Sequence, residues 1–109
     1  FSPDYLRRAL DESLRRLGTD HVDLYQLHGP PAAFWEGAAC DDTLAALGQL
    51  KAQGKIRAVG VGTESVDQAR AALRRGGIDC LQLGYGLLDL EALDGLLGDA
   101  RARGIGVIA

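Results

Sequence analysis

The sequence contains no methionine, two cysteines, three prolines and one tryptophan in 109 residues. Cys40 and Cys80 are far apart, without the CxxC spacing of a zinc or redox site, which argues against a metal centre and a disulfide framework. Both are read as free thiols. A chain that lacks even an initiator methionine and starts at Phe1 is read as a piece of a longer one. No apolar run approaches the roughly 20 residues that span a bilayer. FSPDYLRRALDES has none of the features of a secretory signal, so no membrane partner and a cytoplasmic location are expected. Positive charge is also in short supply. Twelve Lys and Arg against fifteen Asp and Glu give a net charge of -3, and they form no basic stripe, so a nucleic-acid partner is not expected.

What is present is ordinary globular composition, 47% hydrophobic and 25% charged, with fifteen glycines that punctuate it. Ser2-Pro3-Asp4 is a helix start, and Leu6, Ala9, Leu10, Ser13, Leu14 and Leu17 fall on one helical face before a Gly18 cap. Val22 to His28 reads as a strand broken by Gly29-Pro30-Pro31. A long loop, Gly29 to Asp42, precedes a second helix from about Thr43 to Gln53, with Leu44, Leu47 and Leu50 inward. Ala58-Val59-Gly60-Val61 is a short buried strand. Ser65 and Gln68 make a capping box for a third helix, Val66 to Arg75. Cys80 to Tyr85 is the third strand. A fourth helix from about Leu90 to Arg103 turns Leu93, Leu96, Leu97 and Ala100 inward before a last strand, Ile105 to Ala109.

Strands separated by helices of this length pair in parallel through right-handed crossovers. An open doubly wound sheet fits the length, but its strands are usually near-continuously apolar. Here one side of the strands carries Gln26 and His28, then Gly60 and Gly62, then Cys80, Gln82 and Gly84. Those faces suit the lumen of a (β/α)8 barrel, which takes about 250 residues. The expected fold is therefore α/β: part of a (β/α)8 TIM barrel, four parallel strands alternating with four outer helices.

His28 shares a strand face with Gln26 at a carboxyl strand end, where it can hydrogen-bond a carbonyl oxygen or simply terminate a strand. His21, an odd seven residues away, lies on the opposite face, against a two-histidine metal site. Gly60-Val61-Gly62-Thr63-Glu64-Ser65 misses the third glycine of a dinucleotide loop, and its plainer meaning is a tight turn that allows close approach. Gln82 needs partners on a buried face, from a ligand or another barrel residue. Tyr85 offers a flat surface for a ring or packs in the wall, and Phe34 and Trp35 either line a substrate pocket or cover the barrel mouth.

SLRRLGTDHVDLYQLHGPP, GKIRAVGVG, LQLGYGLLD and RGIGVIA, in this order and spacing, together resemble the middle part of the aldo-keto reductase family over nearly the whole chain. The resemblance implies a barrel that binds NADPH, less often NADH, at its carboxyl strand ends and reduces a small aldehyde or ketone to an alcohol. It carries the substrate-orienting histidine onto His28 and the nicotinamide carboxamide contact onto Gln82. Gly62, Thr63 and Tyr85 become the further cofactor contacts and Trp35 the candidate substrate contact. The family's tyrosine, lysine and aspartate precede Phe1 in its order, so residues 1–109 read as a partial barrel domain without its first and last strands, inactive alone. Three departures stand out: Gly62-Thr63 where a Ser-Asn pair or serine is usual, Tyr85-Gly86 where Tyr-Asn is, and Gly29 where a bulkier polar residue follows the histidine. An alternative is a non-catalytic relative that keeps the fold for binding or assembly. If the 109 residues stand alone, exposed sheet edges and apolar helix faces favour self-association.

Overall fold

The computed structural model describes residues 2–84 and 90–108. Helix α1, Pro3–Leu17, starts where the sequence predicts it, with the Tyr5 N–H donating to Ser2 Oγ over 3.2 Å, and it ends on Gly18 at φ 70°. Leu6, Leu10 and Leu14 are buried, but Leu17, assigned to the same face, is 66% exposed in the last turn. Strand β1 is Val22–His28, as read.

The loop is more ordered than its sequence suggests. A 3₁₀ turn, Ala32–Glu36, leads directly into α2, Ala38–Ala52, which starts five residues before Thr43. Ala38-Ala39-Cys40-Asp41-Asp42 carries no apolar period, and Gly37 provides no side-chain cap, yet alanine is the best helix former and Cys40 is fully buried. Strand β2 runs Ile56–Thr63, two residues longer at each end than the apolar segment that marks it. Helix α3, Val66–Arg75, begins on a shifted capping box: Gln68 N–H donates to Ser65 Oγ over 3.2 Å, but Gln68 Oε1 accepts from the Glu64 N–H, one residue before the cap. Strand β3, Cys80–Leu83, α4, Leu90–Ala102, and β4, Gly106–Ile108, complete the described order. Strand β3 thus stops at Leu83, before Gly84, and β4 starts at Gly106 rather than Ile105, while Tyr85 and Ala109 lie outside the described residues. Leu97, assigned inward, is 37% exposed, while Leu96 and Ala100 are buried.

All four strands are parallel, in the order β1-β2-β3-β4. Right-handed crossovers that always advance in one direction place every helix on the same side of the sheet. A doubly wound sheet instead reverses direction and covers both sides. The sequential order is that of a barrel wall. Leu27, Val59, Val61 and Leu81 alternate with the glycine- and glutamine-bearing positions and join the helices' buried leucines and alanines in the core.

Asp79 fastens the amino-terminal end of this wall. Its carboxylate accepts from the Val59 N–H at 2.9 Å and from Lys51 Nζ at 2.9 and 3.1 Å, and its backbone bonds Val59 and Gly106. One residue thus ties β2, α2 and β4 to the start of β3. Burial pushes its pKa up, but the Val59 N–H and the Lys51 ammonium outweigh that and hold it below the usual value. A carboxylate depressed on folding stabilises above its unfolded pKa and loses that contribution as pH falls through the folded one. With 41% of the side chain exposed, screening keeps the effect to about 1 kcal/mol. Asp79→Asn is expected to lower unfolding stability by that amount near neutral pH and to flatten the loss of stability below about pH 4. Urea titrations of both proteins across that range check it.

Candidate functional site

The strand register sets the candidate residues side by side. His28 pairs with Gly62 and Gly62 with Gln82, while one layer below Gln26 pairs with Gly60 and Gly60 with Cys80. Each residue is two positions from the next on its own strand, so both rows share one face, the one opposite the helices.

Glycine on β2 makes this face concave. A Cβ on Gly60 would stand 2.9 Å from Gln26 Cγ and 3.0 Å from Leu24 Cδ1, so the side chains of β1 lean into the space that Gly60 leaves. At Gly62 the nearest atoms to such a Cβ are Gln26 Oε1 and His28 Nδ1, both at 3.7 Å. Here the space remains open. It forms a cavity of ≈ 130 Å³ lined by His28, Gly62, Thr63, Glu64, Gln82 and Gly84. That is below the roughly 300–1,000 Å³ of a complete small-molecule pocket, and suits one ring or one polar group of a larger ligand.

The polar atoms differ in how free they are. The His28 and Gln82 side chains are exposed, and neither makes a side-chain hydrogen bond among the described residues. Thr63 is 3% exposed, and its hydroxyl donates to the Gln82 carbonyl over 3.2 Å, so its proton is already committed to joining β2 to β3. The Gly84 N–H donates to the Thr63 carbonyl over 2.8 Å, and a Cβ at Gly84 would approach that oxygen to 3.1 Å. Gly84 is thereby the residue that lets β3 close against the end of β2. Burial, followed by the neighbouring Asp79 charge, pushes the Cys80 thiol up and makes it a poor nucleophile.

Of the sequence-assigned residues, the structure brings His28, Gly62, Thr63 and Gln82 together. Tyr85 lies outside the described residues. Trp35 is elsewhere: it is 3% exposed, meets Phe34 edge to face at 5.2 Å, and lines a separate cavity of ≈ 220 Å³ with Glu36, Ala71, Arg74 and Arg75 against α3. The chain after Pro31 turns onto the helical side rather than across the mouth. His21 is at the opposite end of β1, 2.8 Å from Asp20, whose pKa that hydrogen bond lowers. No group of metal-ligating side chains occurs among the described residues. The sequence places Gly84 on the lumen face but gives neither it nor Glu64 a role at the site, although each directly follows a strand end, where loop residues reach a barrel mouth.

The space at Gly62 and the free amide of Gln82 fit a flat ring bearing a carboxamide: the glycine admits its edge, and the glutamine can both donate to and accept from the amide.

Comparison with known proteins gives the family and the fold. The pattern of the Aldo/keto reductase family matches residues 1–109. The NADH-specific methylglyoxal reductase of Escherichia coli (strain K12) is 38% identical over 107 residues, covering 95% of this chain and 32% of that protein. The D-threo-aldose 1-dehydrogenase of Pseudomonas sp is 29% identical over 111 aligned residues, covering 100% of this chain and 33% of that protein. Among solved structures, an aldo-keto reductase of Bacillus halodurans in its holo form superposes with a TM-score of 0.80 at 32% identity, over 98% of this chain and 34% of that one. An aldo/keto reductase of Klebsiella pneumoniae in complex with NADP and acetate gives a TM-score of 0.71 at 30% identity, over 95% and 36% of the two chains. The chain spans about a third of the length of the curated relatives it matches.

The two glycines should respond differently to a methyl group. Gly60→Ala is expected to destabilise by about 1–3 kcal/mol, because Gln26 and Leu24 must move, whereas Gly62→Ala should be nearly neutral in stability. Adding Gln26→Ala to Gly60→Ala should recover part of the loss. Denaturant midpoints of the four proteins measure all three effects.

Proposed function

Because the chain belongs to the aldo/keto reductase family and forms part of its (β/α)8 barrel, we propose that the protein carrying it is a nicotinamide-dependent oxidoreductase that reduces an aldehyde or ketone to an alcohol. The observation that carries this reading is the row His28–Gly62–Gln82 at the carboxyl ends of three adjacent strands. A bound nicotinamide supplies a hydride to the carbonyl carbon. The residues of this chain supply geometry and polarity. Gln82 holds the carboxamide, Gly62 leaves the space for it, and His28 hydrogen-bonds the substrate oxygen from the neighbouring strand. His28 would thus orient the substrate carbonyl toward the space that Gly62 leaves between it and Gln82.

NADPH is the cofactor expected from the family resemblance, with NADH as the other form. One relative is named as NADH-specific and one structure contains NADP. In this reading residues 1–109 are one part of a single barrel domain, the substrate is a small carbonyl compound, and the isolated segment has no reductase activity.

One observation favours the second reading, a non-catalytic protein with the same fold. Gly62 provides no side chain, and the Thr63 hydroxyl already donates to the Gln82 carbonyl, so two cofactor contacts expected of this strand end are weakened. Titration of the full-length protein with NADPH and NADH, followed by cofactor fluorescence, separates the two. Binding supports the reductase; no binding at millimolar cofactor leaves the non-catalytic reading. In the reductase, His28→Ala is expected to lower turnover of a simple aldehyde on the order of tenfold to a hundredfold and to leave cofactor affinity nearly unchanged. Unchanged turnover removes the role given to His28.

A further inference from the structure

Among the described residues, Glu64 is the one carboxylate lining the cavity that holds His28, Gly62 and Gln82. Its backbone is fixed on both sides. The Glu64 N–H donates to Gln68 Oε1 over 3.0 Å, Ser65 caps α3, and Gly84 packs so close that a Cβ there would lie 3.5 Å from Glu64 Cα and 3.9 Å from its Cγ. The side chain therefore starts out over the end of β3, two residues beyond Gln82. Among the described residues its carboxylate makes no ion pair, and the cavity lining contains no lysine or arginine. A negative charge is held at the rim of a space fitted to a planar carboxamide ring, with nothing in that lining to neutralise it.

A nicotinamide ring carries a positive charge when oxidised and none when reduced. The rest of the dinucleotide is the same in both forms. A carboxylate whose backbone is anchored at the rim therefore distinguishes the two through that one charge. We propose that Glu64 is a positioning charge that makes this site bind the oxidised nicotinamide cofactor in preference to the reduced one, and so makes the bound reduced cofactor a stronger hydride donor. The inference rests on the nicotinamide reading above. It assigns Glu64 no contact with the substrate and no part in proton transfer.

Two unit charges about 6 Å apart, with an effective dielectric between that of a protein surface and water, shift such a preference by roughly threefold to a hundredfold. Glu64 is exposed, so the lower part of that range, about threefold to tenfold, applies. The test is the ratio of dissociation constants for the oxidised and reduced forms of one cofactor, measured on the full-length protein and on Glu64→Gln. The substitution retains side-chain length and removes the charge. The expected result is that Glu64→Gln weakens binding of the oxidised form by about threefold to tenfold, leaves the reduced form nearly unchanged, and that this difference shrinks as ionic strength rises. Glu64→Asp should retain part of the preference. A purely structural role for Glu64 would change both affinities together, and that outcome overturns the proposal, as does an unchanged ratio. If neither form binds the unsubstituted protein, the nicotinamide reading fails and this inference fails with it.

Discussion

Everything at the candidate site depends on the register of three parallel strands. Side chains alternate at every residue, and a slip by one position would turn Gln26, His28 and Gln82 into the helical layer and leave Leu27, Val61 and Leu81 facing the cavity. Burial of those apolar residues against the helices therefore specifies the site as well as the fold. The polar row is never selected directly by burial, since His28 and Gln82 remain exposed. It is positioned by what its neighbours bury.

Glycine has three different jobs on this wall. At Gly60 the missing side chain is filled by Gln26 and Leu24, which locks β1 to β2. At Gly62 it is left open and becomes the cavity. Gly84 works through the backbone, letting the end of β3 approach the Thr63 carbonyl and bringing Glu64 over the rim. Substituting a larger residue at these three positions would thus have three distinct physical consequences: a crowded interface, a filled cavity and a displaced strand end.

The fold was legible in the sequence because glycine-terminated amphipathic helices and short strands leave strong periodic marks; α1 and β1 begin and end where those marks place them. Where the marks are weak, the reading stops short. The first turn of α2 has alanines and aspartates without an apolar period, and β2 extends past its apolar segment because Ile56 and Gly62 pair with β1 and Thr63 with β3. The site was legible in part. Two-residue spacing put His28 and Gln26 on one face, but which strands align is a tertiary fact, so the closeness of Gly62 to His28 was outside the reach of local pattern. Trp35 illustrates the converse. An aromatic in a loop after a strand end looks like a pocket residue, yet burial against α3 decides its place. Glu64 gave no signal, because a single acidic residue before a helix cap resembles any other favourable charge near a helix start.

Asp79 sits at one end of the strands and the cavity at the other. Apart from the strand pairing itself, the Thr63 hydroxyl bond to Gln82 and the Thr63–Gly84 closure, the bonds that fasten the wall are not the groups that line the cavity. The carboxyl-terminal rim can therefore diverge while the amino-terminal clasp stays fixed, so related chains can acquire new ligand preferences without first having to solve folding again. In such a scaffold, evolvability is a matter of distance along a strand.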